Sequence, residues 1–207
     1  MNASSSQDSK FEFVAQSKIP TKRGDMFVRA YRNREDGTEP VAIFFHNPQH
    51  SVELPVRIHD ACFTSEVIGS QKCDCREQLD YAMDYIAEHP GMVIYLQQEG
   101  RGIGLANKIA VYAAQETGLD TVEANRVLHF PDDAREYKIA AFILADLNIK
   151  SIKIMTNNPR KIEKLRELNV QVADRMDVHI APNTHNHNYL QTKQEKMGHL
   201  LEVDPQK

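Results

Sequence analysis

Only three cysteines occur in this 207-residue chain, no apolar run approaches the length of a membrane span, and basic residues are not in excess. Each deficit excludes something. The apolar runs VAIFF (41–45) and MVIYL (92–96) fall far short of the roughly 20 residues a helix needs to cross a bilayer, so no membrane partner is expected. Lysine and arginine number 25 against 29 aspartates and glutamates, and the net charge of -4 argues against a chain built to coat nucleic acid or an anionic surface. An odd number of cysteines, two of them separated by Asp74 alone, makes a poor disulfide framework and points to a reduced, cytoplasmic protein. Residues 1–10, MNASSSQDSK, lack both the apolar stretch of a secretory signal and the arginine-rich character of a transit peptide, and are expected to form a disordered tail.

The composition that remains is that of a globular protein, 41% hydrophobic and 26% charged, long enough to bury a core without disulfides. Residues 41–45, 92–96 and 152–155 have the apolar, β-branched character of short buried strands. Helical spacing fills the later gaps: Leu79, Met83 and Ile86; Leu105, Ile109, Tyr112 and Ala113; Ile139, Phe142, Ile143 and Leu147. After residue 75 the predicted order is helix, strand, helix, irregular segment, helix, strand, helix, strand. Before residue 60, turn signals at 21–24 and 35–38 separate closely spaced strands. The expected fold class is therefore mixed α/β: a single domain over 11–201 with antiparallel N-terminal strands and an α/β layered remainder. An Asn- and His-rich segment at 183–188 leads to a polar helical stretch ending near Leu201, with 202–207 as a C-terminal tail.

All three cysteines fall within fourteen residues, as C-x10-C-x-C: Cys62, Cys73 and Cys75. Structural zinc sites close with four protein ligands, whereas catalytic ones use three and keep one position open, so three thiols fit the catalytic pattern. The last two precede a predicted helix near Arg76, whose N-terminal amides favour anionic sulfur. Two other readings stand beside it: three inert buried thiols, and a closed site completed by His59 through His-x2-Cys.

Two stretches offer anion-binding chemistry. Residues 98–104, QEGRGIG, follow a strand and precede a helix, with glycines that let backbone approach a ligand and Arg101 as a planar fork; a plain tight turn is the alternative. Residues 156–161, TNNPRK, place Asn158 as an N-cap and Pro159 at the first helical position, with Thr156, Arg160 and Lys161 crowding the same helix entrance. Between them Asp132 and Asp133 precede a helix expected to start near Arg135, where capping accounts for both.

Taken in order, CFTSEVIGSQKCDC, QQEGRGIGLANKI, DTVEAN, DDAREY and TNNPRK resemble the GTP cyclohydrolase II family, over a stretch from about Ile19 to the TKQEKMGHLL segment. The resemblance implies zinc-dependent hydrolysis of GTP to formate, pyrophosphate and a 2,5-diamino-6-ribosylamino-pyrimidinone 5'-phosphate, the opening step of riboflavin biosynthesis. It implies Cys62, Cys73 and Cys75 as zinc ligands, Asp133 as the acid/base carboxylate, Arg135 as the arginine assigned as nucleophile toward the α-phosphate, and Tyr112 as an active-site tyrosine. It also implies nucleotide contacts from Arg57, Ile58, His59, Asp60, Ala61, Gln78, Glu99, Gly100, Arg101, Thr121, Thr156 and Lys161. Magnesium accompanying the triphosphate and a homodimer complete what the family leads one to expect.

The chain departs from the family around the metal. HisAspAlaCys replaces His-Ser-Glu-Cys, so a glutamate has become Ala61; Thr64, Ser65 and Glu66 replace Thr-Gly-Asp; Lys72 replaces an arginine and Arg76 a glycine. Two alternatives follow: a divergent relative acting on another nucleotide or heterocycle, as in pyrimidine catabolism, and a noncatalytic zinc protein that binds nucleotide or nucleic acid.

Overall fold

In the computed structural model, which describes residues 10–116, 118–119, 121–131, 133–180 and 186, the three apolar runs form strands at nearly the expected positions. They are β3 (Val41–Phe44), β5 (Met92–Leu96) and β6 (Ile152–Met155), joined in one seven-stranded sheet by β1 (Phe11–Thr21), β2 (Gly24–Asn33), β4 (Leu54–Asp60) and β7 (Val172–Met176). The order across the sheet is β1-β2-β3-β5-β4-β6-β7. The first three strands form an antiparallel meander whose last member pairs antiparallel with β5, and β5, β4, β6 and β7 run parallel. The fold is thus the mixed α/β class read from the sequence.

Among the described residues the α-helices are α1 (Phe63–Glu66), α2 (Cys75–Glu88), α3 (Leu105–Gln115), α4 (Thr121–Val127), α5 (Lys138–Asp146) and α6 (Pro159–Glu167). On one sheet face Val56, Ile58, Ile94 and Ile154 pack with Ala140, Ile143 and Leu147 of the α5 region and Leu165 of α6. On the other, Val93 and Met155 pack with Ala82, Met83 and Ile86 of α2. Alternation along a strand sends successive side chains to opposite faces. In β4, Arg57 and His59 therefore share the α2 side, while Ile58 enters the core and Asp60 emerges toward α5 and α6.

Three details differ from the sequence reading. The stretch expected to be irregular contains α4, whose Thr, Val and Asn residues are weak helix formers; Ala124 and Asn125 are buried, so packing supplies what propensity lacks. The helix expected near Arg135 begins at Lys138, because the Arg135 guanidinium, the Glu136 amide and the Tyr137 hydroxyl are engaged at the site described below. Third, β4 lies inside the sheet, between β5 and β6, although Pro55, Arg57, His59 and Asp60 make it the least strand-like in sequence. Residues 1–9 of the expected N-terminal tail, the helical stretch expected near Leu201 and the C-terminal tail lie outside the described residues. Among the described residues no helix is long and apolar enough to cross a membrane.

Candidate active site

From β4 the chain passes through α2 to β5 on one side and later reaches β6 on the other, so the strand order reverses at β4. In open α/β sheets ligands bind outside the carboxyl ends of the strands at such a point. A cleft of about 1080 Å³, its open mouth included, lies there, lined by the ends of β4, β5 and β6 and the segments that follow them.

One wall carries the cysteines. Cys62 precedes α1, Cys73 lies in the loop before α2, and Cys75 is the first residue of α2. Their Sγ atoms lie within 4.8 Å of one another, and the Cys62 and Cys73 sulfurs are 3.7 Å apart. A tetrahedral ion with metal–sulfur bonds of about 2.3 Å sets its ligands about 3.8 Å apart, so the spacing and the all-thiol donor set fit a thiophilic ion such as zinc. Hydrogen bonds from Cys73 and Cys75, joined by the Lys108 ammonium, pull the Cys62 thiol far below its ordinary range, while the hydrogen bond to Cys62, with burial added, pushes Cys73 up.

Around Cys62 the backbone is fixed by Glu66. Its Oε1 accepts the Cys62 amide at 2.7 Å and lies 3.0 Å from His59 Nε2, and its Oε2 accepts the Tyr95 hydroxyl at 2.6 Å. His59 is buried and stacked on Tyr95, and its Nδ1 has no hydrogen-bond partner. Among the described residues the group able to hold an ion consists of the three cysteines, without His59. The closed four-ligand reading therefore has no support in this geometry.

Opposite the sulfurs lies a buried ionic floor. Asp60 Oδ2 accepts from Lys161 Nζ at 3.0 Å, Arg135 Nη1 at 2.9 Å and the Tyr137 hydroxyl at 3.3 Å. Burial raises the Asp60 carboxyl, but Lys161 and Arg135 outweigh it and hold it below the usual range. Burial dominates at Lys161 and brings its ammonium down to about 8 despite Asp60. Arg135 grips Asp133 by a two-pronged fork, Nε to Oδ1 at 2.9 Å and Nη2 to Oδ2 at 2.7 Å. Although burial opposes ionisation there too, the fork brings Asp133 to about 2, and the two carboxylates hold Arg135 charged more firmly than an ordinary arginine.

Arg57 donates through Nη1 to the Met155 carbonyl at 2.9 Å and through Nη2 to Gln78 Oε1 at 2.5 Å, which leaves its buried Nε unpartnered. Glu99, Gly100 and Arg101 also line the cleft, and residues 99–102 form a tight turn in which Gly100 and Arg101 both have left-handed backbone, φ 62° and 59°. Gly102, at φ +91°, sits so close to Ala134 that an added Cβ would lie 3.0 Å from its carbonyl carbon. The turn thus approaches the segment that carries Arg135, and the Ala134 amide bonds the Arg101 carbonyl at 3.0 Å.

Most residues singled out in the sequence meet in this cleft: Arg57, His59, Asp60, Ala61, Gln78, the three cysteines, Glu99, Gly100, Arg101, Tyr112, Arg135, Thr156 and Lys161 all line it. Ile58 does not, its side chain being fully buried in the core while its carbonyl accepts from Lys161. Asp133 stands behind Arg135, outside the lining. Thr121 opens α4, and its side chain lies outside the described residues. Sequence reasoning missed Lys108, Asn125 and Asn157 in the wall and Glu66 behind it. Lys108 lay inside a quoted motif, GLANKI, but a lysine on a helix is ordinarily a solvated charge, so nothing distinguished it.

A family model described as GTP cyclohydrolase II matches residues 12–177. The chain belongs to the GTP cyclohydrolase II family. It is 48% identical over 186 residues to GTP cyclohydrolase-2 of Campylobacter hominis, covering 90% of this chain and 93% of that protein. To GTP cyclohydrolase-2 of Campylobacter fetus it is 46% identical over 186 residues, covering 89% and 93%. The riboflavin biosynthesis protein RibBA of Chlamydia muridarum is 46% identical over 196 residues, 94% of this chain but 46% of that protein. The chain thus spans about half the length of the RibBA relatives it matches. Its cysteine cluster is a site able to hold a metal.

Proposed function

We propose that this chain hydrolyses GTP with release of formate and pyrophosphate, opening riboflavin biosynthesis, and that it acts as a zinc enzyme with magnesium on the triphosphate. The observation that carries the reading is the joining of two chemistries in one cleft. A three-sulfur metal site stands beside five cations, Arg57, Arg101, Lys108, Arg135 and Lys161, against two carboxylates, Asp60 and Glu99, in a chain of net charge -4. A nucleoside triphosphate needs both a cationic cradle for phosphates and, for ring opening, an activated water.

Cys62, Cys73 and Cys75 would hold the zinc. When bound it supplies Lewis acidity that lowers the pKa of water toward about 7, so that hydroxide is at hand at neutral pH. Arg101, Arg135 and Lys161 face the cleft as phosphate-binding cations, and the α6 N-terminus, capped by Asn158 Oδ1 on the Arg160 amide, adds a favourable dipole. Arg135 bridges two carboxylates and stays protonated, which suits a fixed cation on the α-phosphate better than a nucleophile. Asp133, with both oxygens on Arg135, orients that cation; to carry protons it must first leave the fork. Tyr112 lies under Lys72 and Lys108, whose ammoniums are 4.7 Å and 5.7 Å from its ring centroid, and is set to donate to charge developing on the opened ring.

The reading extends to a homodimer working in the reducing cytoplasm, where thiolate ligands persist. Incubating zinc-loaded protein with GTP and magnesium should release formate and pyrophosphate together; neither product from a metal-replete sample would rule the activity out. A divergent relative acting on another nucleotide is favoured by one observation: Ala61 leaves the cleft without the family's glutamate, and Asp60 is occupied by Lys161 and Arg135. Turnover of another nucleotide with GTP inert would select that reading.

A further inference from the structure

Helix α3 is turned against its own pattern. Its Leu105 and Ile109 are exposed, 37% and 48%, whereas Lys108 is buried at 8%. Violations of this kind collect at functional sites, where a local cost is offset by a task. The buried ammonium has three partners: Cys62 Sγ at 3.1 Å, Thr64 Oγ1 at 2.8 Å and Glu99 Oε1 at 2.7 Å. Glu99 in turn accepts the Phe63 amide at 2.5 Å and the Gly100 amide at 3.0 Å. One nitrogen therefore touches a metal-ligating sulfur and, through Glu99, holds both the backbone next to that ligand and the left-handed turn that carries Arg101.

We propose that Lys108 is a positioning residue of the metal centre, whose ammonium offsets the negative charge of the three-thiolate site and ties Cys62 to the turn carrying Arg101. The inference rests on the metal site proposed above. Three thiolates and one divalent ion leave a net charge of -1, which disfavours the approach of a polyanionic nucleotide. A hydrogen bond from an ammonium withdraws electron density from Cys62 Sγ and brings the centre nearer neutrality, so the ion stays a stronger Lewis acid. Glu99, which also accepts the amides of Phe63 and Gly100, anchors Lys108 so that its ammonium is the charged donor in direct contact with Cys62 Sγ.

The test uses the full chain loaded with cobalt or with zinc, as wild type, Lys108→Met and Lys108→Arg. Removing the donor should move the thiolate-to-cobalt charge-transfer band of Lys108→Met to longer wavelength and weaken zinc binding, measured by chelator competition, about tenfold or more. Lys108→Arg, which keeps a charged donor, should recover most of both. A folded Lys108→Met with an unmoved band and zinc affinity within about twofold of wild type overturns the inference, because a merely structural lysine leaves the sulfur's electronics alone. Should Lys108→Met not fold, Lys108→Gln, which lacks the charge, is read in the same way, and an unmoved band again overturns it. Wild-type protein that binds neither ion defeats the metal reading itself, so the two failures are told apart.

Discussion

Lys161 gives the sharpest quantitative consequence of the buried ionic floor. Its ammonium is almost wholly enclosed, bonded to the Ile58 carbonyl and to Asp60, with Arg135 and Arg57 adding repulsion. Burial, only partly opposed by Asp60, brings its pKa from the usual 10.5 to about 8. At about 1.4 kcal/mol per pH unit the displacement corresponds to roughly 3 kcal/mol of native-state penalty. Between these two values the unfolded chain holds the proton and the folded chain does not, so stability rises with pH. The penalty is fully present below about pH 8 and is relieved as pH climbs toward 10.5. Urea unfolding of wild type and Lys161→Met from pH 7 to pH 10 isolates the effect, since other titrations are common to both. The stability difference should move in favour of wild type by about 2–3 kcal/mol across that range. A difference that stays constant with pH would refute the claim that this lysine is held against its charge.

Gly102→Ala forces a Cβ to within 3.0 Å of the Ala134 backbone at φ +91°, and should cost about 1–3 kcal/mol in chemical denaturation; a neutral substitution would mean the turn can retreat from Ala134. In Asp133→Asn, Arg135 keeps Asp60 but loses its fork. Metal content should stay at wild-type level while kcat falls roughly a hundredfold, as expected for a misplaced catalytic cation; loss of metal instead would place Asp133 in the wrong network. Ile154→Ala opens a cavity in the core shared by the sheet, α5 and α6, with an expected loss of about 2–5 kcal/mol by denaturant titration and no change in metal stoichiometry.

Strands whose residues all face apolar surroundings were legible, and β3, β5 and β6 coincide with runs rich in Val, Ile and Met. The meander before residue 60 could be read from its turn residues. What escaped was β4, because this interior strand bears the chemistry: Arg57, His59 and Asp60 interrupt the apolar pattern just where the sheet delivers side chains to the cleft. The cysteine cluster was readable from spacing alone, since a short loop and a helix start bring residues eleven and thirteen positions beyond Cys62 back to it. Asp60 could be placed in the site but not understood. Only the parity of β4 shows that it turns away from the sulfurs, toward Lys161 and Arg135. Lys108 was invisible for the opposite reason, because a lysine in a helical motif is a solvated charge until tertiary structure encloses it.

X-ray absorption at the zinc edge of the freshly reduced, metal-loaded chain tests the centre of this account most directly. The geometry predicts one ion per chain with three sulfur scatterers at about 2.3 Å and one lighter neighbour. A shell of four protein ligands that includes an imidazole, or protein that holds no stoichiometric ion, would contradict it.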